Sequence, residues 1–141
     1  MFGMEHKYID KEKIYETATD AVTPFIDKIA RELKSGLYSV LILASIGYLK
    51  RPTYGYEIIK TIEALSDGAF RLKDATVYPV LKDFEKRGLA KGFWGEPEGG
   101  HVRRYYELTE DGRNALALAV GEWKRETKAA NRVLGVCGGK V

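Results

Sequence analysis

Glutamine is absent from these 141 residues, and asparagine occurs only at positions 114 and 131. So few thermolabile amides beside so many lysines and glutamates is a thermophile-like composition. Cysteine is almost as scarce. Cys137 stands alone, so no disulfide can form within the chain. A lone thiol near the C-terminus reads as inert and fits a reducing cytoplasm. The two histidines, His6 and His101, lie far apart, and no cluster has metal-ligand spacing. There is no glycine-rich phosphate loop, no Gly-x-Ser-x-Gly elbow and no His-Glu-x-x-His run. Catalytic residues, metal ligands and cofactors are therefore all read as none. Long apolar runs are missing too. The longest, Leu37 to Leu49, is 13 residues, short of the about 20 that cross a bilayer. It reads as a buried core helix, so no membrane partner is expected. Met1 to Lys13 mixes charges and lacks the apolar core of a signal peptide.

What remains is a globular balance, 45% hydrophobic and 30% charged. The net charge of +3 is mild, and its distribution matters more than its sum. From Arg71 to Tyr106, eight basic residues face five acids, so the local excess of three equals that of the whole chain.

Helical spacing begins early. Asp10 reads as a cap, followed by Ile14, Ala18 and Val22, with Thr23-Pro24 as a fresh start. Phe25, Ile29 and Leu33 continue the stripe, and Gly36 reads as its stop. Residues 10–35 thus form one kinked helix or two. The core helix from Leu37 ends at Arg51-Pro52. Thr53 reads as the cap of a helix from Tyr54 to Leu65, Ser66-Asp67-Gly68 as a turn, and Ala69 to Leu72 as a very short strand. A third helix, Asp74 to Arg87, sets Val77, Leu81 and Phe84 on one side and Thr76, Pro79 and Lys82 on the other. Its internal Pro79 should bend the axis. Leu89–Trp94 and Val102–Leu108 read as a hairpin around a Gly- and Pro-bearing tip. Thr109 caps a last helix with a seam of Leu116, Ala119, Trp123, Thr127, Ala130 and Leu134. Its length, roughly 37 Å, exceeds what a lone small domain needs.

The fold class is accordingly mainly α with a small β-hairpin: a winged helix-turn-helix with N- and C-terminal dimerisation helices. The expected domains are a helical extension at 1–36, the winged helix at 37–109, a dimerisation helix at 110–135 and a flexible tail at 136–141. In this layout the third helix enters the major groove of double-stranded DNA and the hairpin lies along the backbone. That needs a small or polar helix face and a cationic wing. Ala75, Thr76 and Lys82 meet the first requirement; His101, Arg103 and Arg104 meet the second. Lys73, Lys86 and Tyr54 add groups able to reach phosphate. On a regular strand Arg103 and Arg104 point to opposite faces, which leaves one of them free to pair with Glu96 or Glu98. Tyr56 and Tyr106 read as core, and Trp94 as packing within the wing. Trp123 is a dimer-interface position and a candidate flat wall for a planar effector.

Four segments carry a resemblance. Tyr54-Gly55-Tyr56-Glu57-Ile58 resembles the His-Gly-Tyr-Glu-Ile/Leu segment of the PadR family. Thr76-Val77-Tyr78-Pro79-Val80-Leu81 is similar to its Thr-Leu-Tyr-Pro-Ala-Leu signature, and Glu85-Lys86-Arg87-Gly88-Leu89 to Glu-Glu-x-Gly-Leu. Trp94 with Arg103-Arg104-Tyr105-Tyr106-Glu107-Leu108-Thr109-Glu110-Asp111-Gly112 resembles its wing and Arg-Lys-Tyr-Tyr-x-Leu-Thr-x-x-Gly ending. The resemblance implies a repressor-like homodimer on palindromic operators, responsive to phenolic or other flat apolar compounds; the cytoplasmic location is the expectation that the lone thiol carries. It also implies DNA contacts from Thr76, Tyr78 and the wing arginines. Tyr54 departs from the pattern where histidine is frequent, and Lys73-Asp74-Ala75 replaces a common Ser-Pro-Gly. Two rival readings are a winged-helix protein-interaction module and a DNA-binding regulator with no small-molecule effector.

Overall fold

The structure is a computed structural model that describes residues 12–13, 16, 20–96 and 101–135. The readings at Asp10, Ile14, Ala18, the hairpin tip 97–100 and the tail with Cys137 lie outside these residues. The chain divides into two compact units, one of residues 37–120 and one of residues 1–36 with 121–141.

The first described helix, α1, runs unbroken over Val22–Leu49. Gly36 does not stop it, contrary to the sequence reading. Glycine in a helix interior costs only about 1 kcal/mol relative to alanine, and Gly36 does not enter the positive-φ region that a glycine stop would use. The real stop is chemical. Pro52 offers no amide hydrogen and disfavours helical backbone at the residue before it. Lys50 turns the chain out at φ 53.

The next two residues also differ from expectation. Thr53 does not cap a helix; Thr53–Tyr54 is a two-residue strand, β1. It pairs antiparallel with the strand later in the chain, Thr53 opposite Tyr106 and Tyr54 opposite Tyr105. The Thr53 hydroxyl, fully buried, donates to Glu57 Oε1 at 2.6 Å. Helix α2, Gly55–Leu65, then starts with Tyr54 as an N-cap that makes no side-chain bond. Its buried face is Ile58, Ile59 and Ile62. It ends in a turn where Ser66 Oγ accepts the Phe70 amide at 3.1 Å. That bond belongs to a turn, and Ala69 to Leu72 forms no strand; Leu72 instead inserts into the core.

Helix α3 spans Asp74–Lys86 and buries Val77, Leu81 and Phe84. Gly88, at φ 74, closes it, and the Leu89 amide returns to the Phe84 carbonyl at 2.9 Å. Strands β2, Ala90–Trp94, and β3, Arg104–Leu108, follow. They pair from Ala90 opposite Leu108 to Trp94 opposite Arg104. The sheet order is β1-β3-β2, so the expected hairpin is two-thirds of a three-stranded sheet. Helix α4, Glu110–Leu134, starts as read: the Gly112 amide donates to Thr109 Oγ1 at 3.0 Å. The core joins Ile42, Leu43 and Ile46 of α1 to the buried faces of α2 and α3, with Ala90 and Tyr106 from the sheet. This is a winged helix-turn-helix, with α2 and α3 as the pair and β2-β3 as the wing.

In the other unit, the helical residues 22–36 and 121–134 leave Phe25, Leu33, Trp123, Val133 and Leu134 exposed.

Candidate nucleic-acid interface

Because α3 buries one face, its other face is fixed in solvent. Lys73, at the N-cap with extended backbone, is exposed, as are Asp74, Ala75, Pro79, Lys82 and Lys86. Thr76 is half-buried. Asp83 is tied to Arg87, Nε to Oδ2 at 2.8 Å. Lys73, Lys82 and Lys86 make no ion pair among the described residues. Tyr78 is 43% exposed. Its ring lies against Gly55, where a Cβ would stand 3.0 Å from the ring edge and hydroxyl. Glycine at the start of α2 thus leaves room for the hydroxyl-bearing edge of the α3 tyrosine.

The wing alternates as a strand must. On its outer face the Arg103 guanidinium sits 4.4 Å over the Tyr54 ring. Tyr54 meets Tyr105 edge-on at 5.6 Å, and Tyr105 stacks on Phe93 at 6.1 Å. On the inner face Arg104 Nη2 donates to Glu85 Oε2 of α3 at 2.9 Å. The expected partners were Glu96 or Glu98; the strand's alternation instead turns Arg104 toward α3. The same guanidinium lies 5.2 Å from the Trp94 ring. Trp94 is 67% exposed, so it does not pack into the wing as read. His101 is exposed, at an isolated bridge position before β3. Tyr56, read as core, is 60% exposed, with the Lys60 ammonium 5.5 Å over its ring; Tyr106 is 4% exposed, as read.

Charge pairing orders the site. Glu57 accepts hydrogen bonds from both terminal guanidinium nitrogens of Arg51 at 2.8 Å, and these bonds hold its carboxyl below the usual range, against the opposing effect of burial. The Arg104 guanidinium is raised, first by its bond to Glu85. Burial, with the Glu85 charge nearby, raises the Tyr106 phenol.

The fold therefore gathers Tyr78, Lys82, Lys86 and Arg104 around one concavity of about 700 Å³, completed by Glu85, Trp94 and Tyr106. Tyr54 and Arg103 pair on the opposite face of the sheet, while Lys73, Thr76 and His101 do not line the concavity. Trp123, 47% exposed, belongs to the other unit. Sequence reasoning missed Glu85 and Gly92. A Cβ on Gly92 would stand 2.5 Å from Glu85 Oε1, so glycine there makes room for the carboxylate that holds Arg104. Neither has a local signal, since Glu85 and Arg104 are 19 residues apart. Among the described residues, no three acidic, histidine or cysteine side chains gather to hold a metal, and no helix is long and apolar enough to cross a membrane.

Residues 42–118 match the family model described as the transcriptional regulator PadR-like family. Solved structures agree with that match. A PadR family transcriptional regulator from Eggerthella lenta is 25% identical, with a TM-score of 0.67 over 82% of this chain and 97% of that one. A transcriptional regulator from Clostridium thermocellum is 29% identical, with a TM-score of 0.64 over 72% and 96%. A PadR family transcription regulator from Clostridium difficile is 32% identical, with a TM-score of 0.58 over 70% and 98%. With the helix pair, the wing and the residues that join them in place across the matched segment, this chain belongs to the PadR-like family of transcriptional regulators.

Proposed function

We propose that the chain binds double-stranded operator DNA sequence-specifically, as a cytoplasmic homodimer, and represses by occluding the operator. The observation that carries this reading is the outer face of α3. It combines the small or polar Ala75 and Thr76 with lysines 73, 82 and 86, which make no ion pair among the described residues, beside a wing that adds Arg103. Thr76 and Tyr78 read base edges, while the lysines and Arg103 neutralise phosphates, with His101 as a hydrogen-bonding group toward the backbone and Tyr54 supporting Arg103. Arg104 contributes from the inner face of the wing. Two-fold symmetry would set the half-sites about 34 Å apart, or a multiple of that. Dimerisation is supported by the exposed Phe25, Leu33, Trp123, Val133 and Leu134 on the terminal helical segments, which a second copy would cover. A planar apolar or phenolic effector would stack on Trp123 at that interface and favour a dimer spacing that does not match DNA.

The test is binding to the DNA upstream of the chain's own gene across a salt series, with an unrelated duplex as competitor. Salt-sensitive preference for the upstream DNA supports the reading. Binding to neither duplex at low salt rejects it in favour of a protein-interaction module. Operator release that no flat apolar ligand alters would leave a regulator without an effector.

A further inference from the structure

The concavity between α3 and the inner wing holds one residue to which the reading above gives no task. Trp94, the last residue of β2, exposes two-thirds of its surface. Single exposed apolar residues are ordinary on protein surfaces. This one is held in place. Arg104 caps its ring at 5.2 Å, Glu85 fixes Arg104 at 2.9 Å, and Glu85 occupies the space that Gly92 leaves open. Through Arg104 and Glu85 the indole is linked to α3, the helix that carries Lys82 and Lys86 along the same concavity.

The occupant follows from the charges and the ring together. Lys82 and Lys86, one turn apart, place their Cβ atoms about 5–6 Å from one another. That is the scale of one to two steps of a DNA strand, which carries a phosphate per about 3.4 Å of axis. Between its phosphates such a strand presents the apolar faces of deoxyribose, and sugars share the backbone contacts that position a protein on a duplex. We propose that Trp94 packs on a deoxyribose of the strand whose phosphates Lys82 and Lys86 neutralise. Arg104 and Glu85 are then positioning residues that hold the indole at the groove rim. The inference rests on the DNA-binding reading and adds a contact that releases no counterions.

The experiment uses the full chain with the upstream duplex and a mixed-sequence duplex of equal length. Tryptophan emission and the anisotropy of labelled DNA are followed in the same titration, for the native chain, Trp94→Phe and Trp94→Ala. The native chain should show a DNA-dependent emission change that saturates with the anisotropy and is lost in Trp94→Phe, where Trp123 remains. Trp94→Ala should bind about tenfold more weakly with its salt slope unchanged, whereas Lys82→Ala should lower that slope by about one. Trp94→Phe guards against an unfolded alanine variant. Glu85→Gln should diminish the emission change while Trp94 is retained, which a merely structural role for the indole would not produce. DNA binding with the same emission change in native and Trp94→Phe, and undiminished affinity in Trp94→Ala, overturns the inference and leaves the DNA reading intact. Binding to neither duplex overturns both.

Discussion

Gly112, in the first turn of α4, lies so close to Leu89 that a Cβ built on it would overlap the Leu89 carbonyl oxygen. The same carbonyl accepts the Thr109 amide at 3.1 Å, and the Thr109 hydroxyl donates to the Gly88 carbonyl at 2.7 Å. The junction between α3 and the wing is therefore fastened to the start of α4. Gly112→Ala should destabilise the fold by about 1–3 kcal/mol, although alanine is the better helix former. The obstacle is backbone, which cannot rotate aside. Urea unfolding measures it, and an unchanged midpoint would show that the junction yields.

Gly36 and Gly88 should respond oppositely to the same change. A Cβ at Gly36 meets nothing within 4 Å inside a continuous helix, so Gly36→Ala should stabilise by up to about 1 kcal/mol. A Cβ at Gly88 also meets nothing, but its φ of 74 suits glycine, so Gly88→Ala should cost about 1–2 kcal/mol. Thermal melts of the two variants should move in opposite directions. Equal shifts would contradict the continuous α1.

Glu57 should make stability depend on acid pH. Its carboxyl is lowered in the folded chain, chiefly by the Arg51 hydrogen bonds. The folded state therefore binds fewer protons there than the unfolded state. The stabilisation is present above the unfolded value of about 4.3 and is lost as pH falls through the lower folded value. Urea midpoints from pH 7 to pH 3 should fall more steeply in the native chain than in Glu57→Gln. Parallel curves would mean that the bidentate pair does not persist in solution.

The two wing arginines should separate in a salt series. Arg103 lies over Tyr54 and makes no ion pair among the described residues, whereas Arg104 is neutralised by Glu85. Arg103→Ala should reduce the slope of log K against log salt by about 0.9. Arg104→Ala should weaken binding with little change in slope, because its counter-ion is already within the protein. Sequence alone treats both arginines as wing cations and expects Arg104→Ala to flatten the salt dependence. A lower slope in Arg104→Ala would restore that view.

Periodicity made the cores of α2 and α3 legible, since Ile58, Ile59, Ile62, Val77, Leu81 and Phe84 repeat at helical spacing. Thr109 followed by two acids announced its own cap. The Leu-Thr-x-x-Gly ending could be matched by pattern, yet its reason, the Leu89 carbonyl, is distant in the chain. Strand β1 was invisible because two residues cannot show alternation, and a threonine before a helical run suggests a cap. Helix α1 was cut at Gly36 because glycine permits a stop without requiring one. Within the site, the exposed side of α3 was legible. The Glu85–Arg104–Trp94 arrangement was not, because it depends on which way a strand alternates and on a partner 19 residues away.

The brevity of β1 has a consequence for self-association. An open sheet edge is a template on which a foreign strand can add, and long flat edges invite aggregation. Here one edge of the sheet is β1, only two residues before the chain turns into α2, too short a ladder to seed a fibril. The other edge is β2, where Lys91 is exposed and a charge would have to be buried or faced by every added strand. Any larger assembly of this protein is thereby steered toward side-chain packing and away from continuation of its sheet.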